Sequence, residues 1–313
     1  MNKEKKTAPP GLILLRKQPG LTSFDSLKAV KRALGSGKAG HTGTLDKFAE
    51  GLLLVLTGKA LKLSRWFPHC DKQYRGTIRF GIETDTLDPE GAEIATAPVP
   101  SREAVEGVLD LFRGKIEQAP PEYSAIHIGG ERASVLARRG EAPEMKKRPV
   151  EIYRLELESW DPPFAGVFVH CSGGTYIRSL ARDIALATGS RAHLTGLLRT
   201  RVAGFALEDA VSPPESSPEF RPEIQPEIQP EIRTINRGVF DALGMPCLEA
   251  DPDSARRIAG GRPLHEVPAL NGFSVDTPGA NVVAVFSGDR LLAVIERAGN
   301  GERWKYGYVY ARD

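Results

Sequence analysis

The stretch GHTGTLDKFAEG, residues 40–51, runs directly into the apolar LLLVL of residues 52–56. That junction constrains the fold most. A continuous apolar run bounded by turn residues belongs to a core strand, and the glycine-rich turn ahead of it presents its acid, Asp46. Strand and helix patterns surround it. GLILLRK (11–17) reads as an opening strand, and TSFDSLKAVKRALG (22–35) as a helix capped at Thr22/Ser23 and stopped at Gly35. Phe24, Leu27, Val30 or Lys31, and Leu34 fall at helical spacing in it. GLLLVLTG (51–58) and KQYRGTIRFGI (72–82) read as strands, the second alternating Tyr74, Gly76, Ile78 and Phe80 against polar partners.

Further on, SREAVEGVLDLFRG (101–114) has the helical face Val105, Val108, Leu109 and Phe112 behind a Ser101 cap. PVEIYRLELESW (149–160) and GVFVHCS (166–172) read as strands. The latter passes through a Gly-Gly turn into a helix carrying Ile177, Leu180, Ile184 and Ala185 on one face. Thr175, Tyr176 and Arg178 then stand at a helix start, a position that favours anions. Residues 213–233 contain PEFR, PEIQ, PEIQ and PEIR; proline at every fourth position removes backbone donors and implies an extended, exposed insertion. INRGVFDALG (235–244) suits a short helix, and the tail after it reads as a small, mostly β unit with a Ser-Gly-Asp turn at 287–289.

The chain has 313 residues, 41% hydrophobic and 26% charged, enough for a large core and a second domain in a soluble protein. No run of 18 apolar residues suggests a membrane helix, and MNKEKKTAPP lacks the apolar stretch of a secretory signal. A disordered leader over residues 1–10 and a cytoplasmic location are expected. Cys70, Cys171 and Cys247 form no CxxC pair, which fits a reducing compartment. The net charge of +2 is unevenly spread: residues 1–40 carry nine Lys/Arg against Glu4 and Asp25, and residues 213–233 five Glu against two Arg. A basic surface facing a polyanion is consistent with this.

Several chemistries fail on their motifs. LTGKA has Leu53 and Ala60 where a phosphate-binding loop needs Gly and Ser/Thr. No G-x-S-x-G elbow is present, and the six histidines show no HExxH or HxH spacing, so no metal site is expected. The local pattern around Asp46 favours a helix cap or turn acid; it also allows a nucleophile or base kept ionised by an arginine. Spacing leaves both readings open.

GHTGTLDKFAEGLLLVLTGKALKL resembles the signature of the TruB family, the tRNA pseudouridine-55 synthases. RKQPGLTSFDSLKAVKR, DKQYRGTIRFGIETDTLDPEG, QAPPEYSAIHIGGERASVLARRGE, GGTYIRSLARDIA and AHLTGLLRTRVAGF are similar to other blocks of that family, in family order from about residue 11 to 205. The resemblance implies an α+β fold with a mixed, mainly antiparallel sheet flanked by helices and loops. It implies a catalytic domain over 11–245 and a small β-rich, PUA-like RNA-binding domain over 246–313.

It also implies roles. Asp46 matches the catalytic aspartate, which acts on a uridine flipped out of the RNA. Tyr74 matches the tyrosine that stacks on that base and is implicated in removing the C5 proton. Arg178 matches the arginine paired with the aspartate, His41 a histidine that positions the substrate, and Leu197 an apolar residue near the pocket. The implied activity isomerises uridine 55 in the T loop of tRNA, with no cofactor, no obligatory protein partner and no membrane, in a monomer. Two other readings remain: a non-catalytic tRNA-binding or folding module, and a guide-RNA-dependent rRNA synthase. Asp85 and Asp88 read as structural turn acids. The chain departs from the family pattern at Lys47-Phe48, where proline usually follows the aspartate and a more cationic rim would result. It also departs at His127, Ser134 and Leu198, where lysine, tyrosine and arginine are common.

Overall fold

The computed structural model describes residues 8–141, 144–211, 230–267, 281–298 and 304–312. The strands up to the first long loop region are β1 (Gly11–Lys17), β2 (Ala39–His41), β3 (Glu50–Thr57), β4 (Lys72–Phe80), β5 (Ile82–Thr84), β6 (Glu93–Thr96) and β7 (Gly114–Gln118). They are followed by β8 (His127–Ile128), β9 (Glu131–Arg132), β10 (Arg148–Asp161), β11 (Phe164–Cys171), β12 (Ala192–Val202) and β13 (Phe205–Ala206). The helices are α1 (Ser23–Ala33), α2 (Arg102–Val108), α3 (Ala133–Arg138), α4 (Ile177–Ala187), α5 (Arg237–Ala242) and α6 (Pro252–Ala259). A nine-stranded sheet runs in the order β1-β3-β12-β4-β11-β10-β7, with β2 on β3 and β13 on β12. Its pairings are antiparallel except β3 with β12, the mixed and mainly antiparallel sheet expected.

The apolar runs of β1 and β3 lack polar alternation because both faces of these strands are covered. Ile13, Leu15, Leu53 and Val55 pack against Leu27, Ala29 and Val30 of α1. Leu12, Leu14, Leu52, Leu54 and Leu56 point the other way, into a cluster with Leu63, Phe67, Phe240, Phe286 and Val294. Farther along the sheet, Tyr74, Ile78 and Phe80 of β4 and Val167 and Val169 of β11 meet Ile177, Leu180 and Ile184 of α4. Arg178 thus projects from a helix welded to the sheet centre.

Four strands close the chain: β14 (Cys247–Glu249), β15 (Val282–Ser287), β16 (Arg290–Arg297) and β17 (Trp304–Val309), paired in that order with only β14–β15 parallel. The turn at Ser287–Asp289 joins β15 to β16 as expected. Helix α6, capped by Asp251 and started by Pro252, adds a helical element to the expected β unit.

Three expectations need correction. Phe24 is not on the buried face of α1: it is 60% exposed, because the helix begins at Ser23 and its buried stripe runs through Ser23, Ser26, Leu27 and Val30. Residues 1–7 lie outside the described residues, but Ala8 is buried with its N–H on Ser36 Oγ, and the Pro9 carbonyl accepts from Thr57. The leader therefore does not extend to residue 10. The proline-rich segment lies outside the described residues over 212–229, yet its end is not an exposed insertion. Arg233 exchanges two backbone hydrogen bonds with Leu12, and Val211 pairs with Leu14 and Arg16. Both flanks of the segment thereby occupy the edge of β1, which would otherwise present unpaired backbone groups.

Candidate active site

The turn after β2 is shaped by buried cations. Arg199, on β12 and 2% exposed, donates from Nε to the Leu52 carbonyl (2.8 Å) and from Nη1 and Nη2 to the carbonyls of Thr44 (3.4 Å) and Gly43 (3.2 Å). Lys17, wholly buried at the end of β1, donates to the carbonyls of Ala49 (2.5 Å), Gln18 (3.1 Å) and Lys47 (3.2 Å). Burial lowers its pKa to about 8, with Asp46 as the strongest opposing influence. Ser23 Oγ accepts from Leu45 N–H and donates to the Leu45 carbonyl, tying the start of α1 to the same turn. The Asp46 carbonyl accepts from Ala49 N–H (3.2 Å), and its carboxylate meets Arg178.

Arg178, second residue of α4, has a side chain only 5% exposed. Its Nη2 donates to Asp46 Oδ1 (3.2 Å) and the Tyr123 carbonyl (3.0 Å), and its Nη1 to the Thr86 carbonyl (2.7 Å) and Asp88 Oδ2 (3.2 Å). Nε lies 2.9 Å from Asp46 Oδ2, a close charge contact outside hydrogen-bond alignment. Burial pushes the Asp46 pKa up; Arg178 pulls it down, Asp88 pushes it further up, and Lys17 opposes. The Asp46 side chain still keeps 36% of its surface open, the single acid of this buried triad that a ligand can reach readily.

Tyr74 sits in β4 between Val169 of β11 and Arg199 of β12. Its burial raises the phenol to about 12, while Arg199 pulls the other way. Leu197 is buried in the same cluster as Tyr74 and Leu45, which flanks Asp46. His41 ends β2; its Nδ1 is buried without a hydrogen-bond partner among the described residues, and burial followed by Arg199 lowers its pKa. The fold thus brings Asp46 and Arg178 into contact and sets Tyr74 and Leu197 beside Leu45. His41 is linked to them through the Arg199 charge.

Asp88 corrects the sequence reading. It does order its turn, accepting from Thr86 Oγ1 (2.6 Å) and Glu90 N–H (3.0 Å), but its other oxygen is the second carboxylate on Arg178. Asp85 remains a turn acid, accepting from Ala92 N–H and the Tyr123 hydroxyl. Lys17 and Arg199 were overlooked although a signal existed. Lys17 follows Ile13 and Leu15 at the strand period, and Arg199 follows Leu197, so each is a charge on an inward face. Lys47 does not make a freely cationic rim, since its ammonium lies 3.1 Å from Glu90. Phe48 packs half-buried on the main cluster. His127 is exposed on β8, Ser134 N–H bonds the Ser124 carbonyl, and Leu198 is half-buried.

Residues 31–177 match the N-terminal domain of TruB family pseudouridylate synthases, a span that contains His41, Asp46 and Tyr74 and stops just before Arg178. The protein named tRNA pseudouridine synthase B of Treponema denticola is 46% identical over 219 residues, 64% of this chain and 61% of its own length. The protein of the same name from Borreliella burgdorferi is 44% identical over 203 residues, 64% of this chain and 72% of its own length. The chain belongs to the TruB family. The TruB fold is also seen in a crystal structure of a Cbf5-Nop10-Gar1 complex, which superposes over 96% of this chain and 82% of that one with a TM-score of 0.62 at 24% identity. An archaeal box H/ACA Nop10-Cbf5 complex gives 0.62 at 22%, over 99% and 88% of the two chains. This TruB chain is a pseudouridine synthase by family. No helix among the described residues is long and apolar enough to cross a membrane.

Proposed function

We propose that the chain converts uridine 55 in the T loop of tRNA to pseudouridine, with Asp46 as the catalytic carboxylate. The observation that carries this reading is the buried Arg178 guanidinium held between Asp46 and Asp88, with the Asp46 side chain partly open. Burial raises the Asp46 pKa, and Arg178 opposes that rise, favouring the charged form of the carboxylate that remains open to substrate. The reaction breaks N1–C1′, turns the uracil and joins C5 to C1′; the C5 proton leaves and N1 gains one, so nothing is oxidised and no external group is consumed. Asp46 serves as nucleophile towards C1′ or C6, or as the base for a ribose proton, and each route requires it ionised.

A uridine inside folded RNA must first leave its stack, at a cost of about a few kcal/mol recovered in the pocket. Tyr74 supplies a ring for the flipped base, with Leu197 behind it. A phenol raised to about 12 is protonated at neutral pH, so it stacks and hydrogen-bonds as a neutral ring; to take the C5 proton late it must give up its own hydroxyl proton in the same step, one proton being returned to N1 of the product. His41, whose pKa is lowered by burial and by Arg199, contacts the RNA. The relatives' names favour tRNA over a guide-directed rRNA substrate.

The test is incubation of the protein with an unmodified tRNA transcript, followed by carbodiimide modification and primer extension. A stop at the T-loop uridine is expected. Asp46→Asn is expected to bind the transcript with wild-type affinity and to form no product; absence of product with the wild type overturns the reading, and product with the variant removes Asp46 from its role.

A further inference from the structure

We infer that Phe24, with Lys28 and Lys31, is a stacking platform for an unpaired nucleotide of the RNA substrate. The inference rests on the RNA-substrate reading above and adds a contact to it. Phe24 lies off the buried stripe of α1 and leaves 60% of its surface in water, although the apolar part of that stripe begins at Leu27, three positions away. Its ring is flanked by cations instead. Lys28 Nζ stands 5.3 Å and Lys31 Nζ 5.8 Å from the ring centroid. Lys28 shares its charge with Asp25 at 2.7 Å, whereas no carboxylate among the described residues forms an ion pair with Lys31.

This chemistry fits RNA. Any base offers a π face to an exposed ring, and the ammonium groups beside that ring meet the phosphates that accompany the base. The partner is further specified by charge: Phe24 lies in the forty-residue segment that carries nine basic side chains and two acidic ones. Its position ties it to the reaction. Ser23, the preceding residue, bonds both backbone groups of Leu45, and Leu45 precedes Asp46. A loop that surrenders one uridine to the site must unstack that uridine's neighbour, and an exposed ring one residue along the chain from the Ser23–Leu45 contact is offered to it.

The experiment is a titration of the full chain with an unmodified tRNA transcript over a series of salt concentrations, with melting temperatures to show that each variant is folded. Phe24→Ala is expected to weaken binding about tenfold at every salt concentration without changing the salt slope, as loss of one stacked base does. Phe24→Tyr restores the affinity. Lys31→Gln lowers the slope by about one phosphate contact. Affinity of Phe24→Ala within about twofold of wild type, or an equal loss in Phe24→Tyr, overturns the platform. The two readings fail separately: binding that depends on Phe24 without pseudouridine formation by the wild type keeps the platform and removes the proposed activity, while pseudouridine formation with Phe24-independent binding does the reverse.

Discussion

Arginine meets acid in two contrasting places. In the cleft, Arg178 is 5% exposed and touches two carboxylates and two carbonyls. At the seam between the first sheet and the tail, Arg65 is 54% exposed, lies 2.7 Å from Glu296 and stacks on Trp66; Glu296 also has Lys305 at 3.3 Å. The pairs are chemically alike and physically unlike. Water can replace the seam pair at little cost, but removing one member of the Asp46–Arg178–Asp88 group strands a buried charge without its direct partner.

The largest effect expected from this contrast is that of Arg178→Met, which leaves Asp46 and Asp88 facing each other. It should abolish product formation and cost about 3–5 kcal/mol in urea unfolding. A cost under about 1 kcal/mol would make the cleft group no different from the seam. Asp88→Asn comes next, with loss of a charge-assisted bond of roughly 1.5–3 kcal/mol. It also removes an influence that raises the Asp46 pKa. With Asp46 in the proposed role, which needs it ionised, the acid limb of the pH–rate profile should move to lower pH; a shift upward would contradict the proposal.

Lys17→Met tests a third buried charge through the pH dependence of stability. The folded-state pKa of Lys17 is about 8, lowered from 10.5, so between these values the unfolded chain binds more protons and stability rises with pH. The penalty is therefore present below pH 8 and relieved towards 10.5. The wild type minus variant difference in unfolding free energy should rise across that window, and a flat difference would show that Lys17 is not buried charged. Smallest is Arg65→Met, expected to change stability by no more than about 1 kcal/mol. A larger loss would show that the seam holds the tail in place.

The tail and the first sheet also differ in how far they could be read in advance. The strands of the catalytic part were legible because their apolar runs and alternations are local, and α4 was legible from its Gly-Gly turn and periodic face. The covering of both faces of β1 and β3 was not. It depends on α1 packing on one side and on Phe240, Phe286 and Val294 on the other, residues up to some 280 positions away in the chain. For the same reason the tail does not stand apart as a unit with a wholly separate core: one of its apolar faces completes the cluster under β3.

The site divides likewise. Asp46, Tyr74 and Arg178 stood out through ordered motifs, each of which is a local pattern. Asp88 did not, because TDTLDPEG describes a turn equally well whether or not an arginine arrives from a helix ninety residues on. Lys47 looked like an added cation until its contact with Glu90, on that same turn, was in view.

Periodicity carried most of the elements, and the order of motifs carried the resemblance to the family and the choice of Asp46 as a candidate, since these follow from neighbours along the chain. Which acid shares Arg178, which cations shape the Asp46 turn and which face of α1 is left in water depend on distance through space. Electrostatic and desolvation energies are set by that distance and by burial, so only the folded chain could show that Asp46 of GHTGTLDKFAEG meets a buried arginine shared with a second acid.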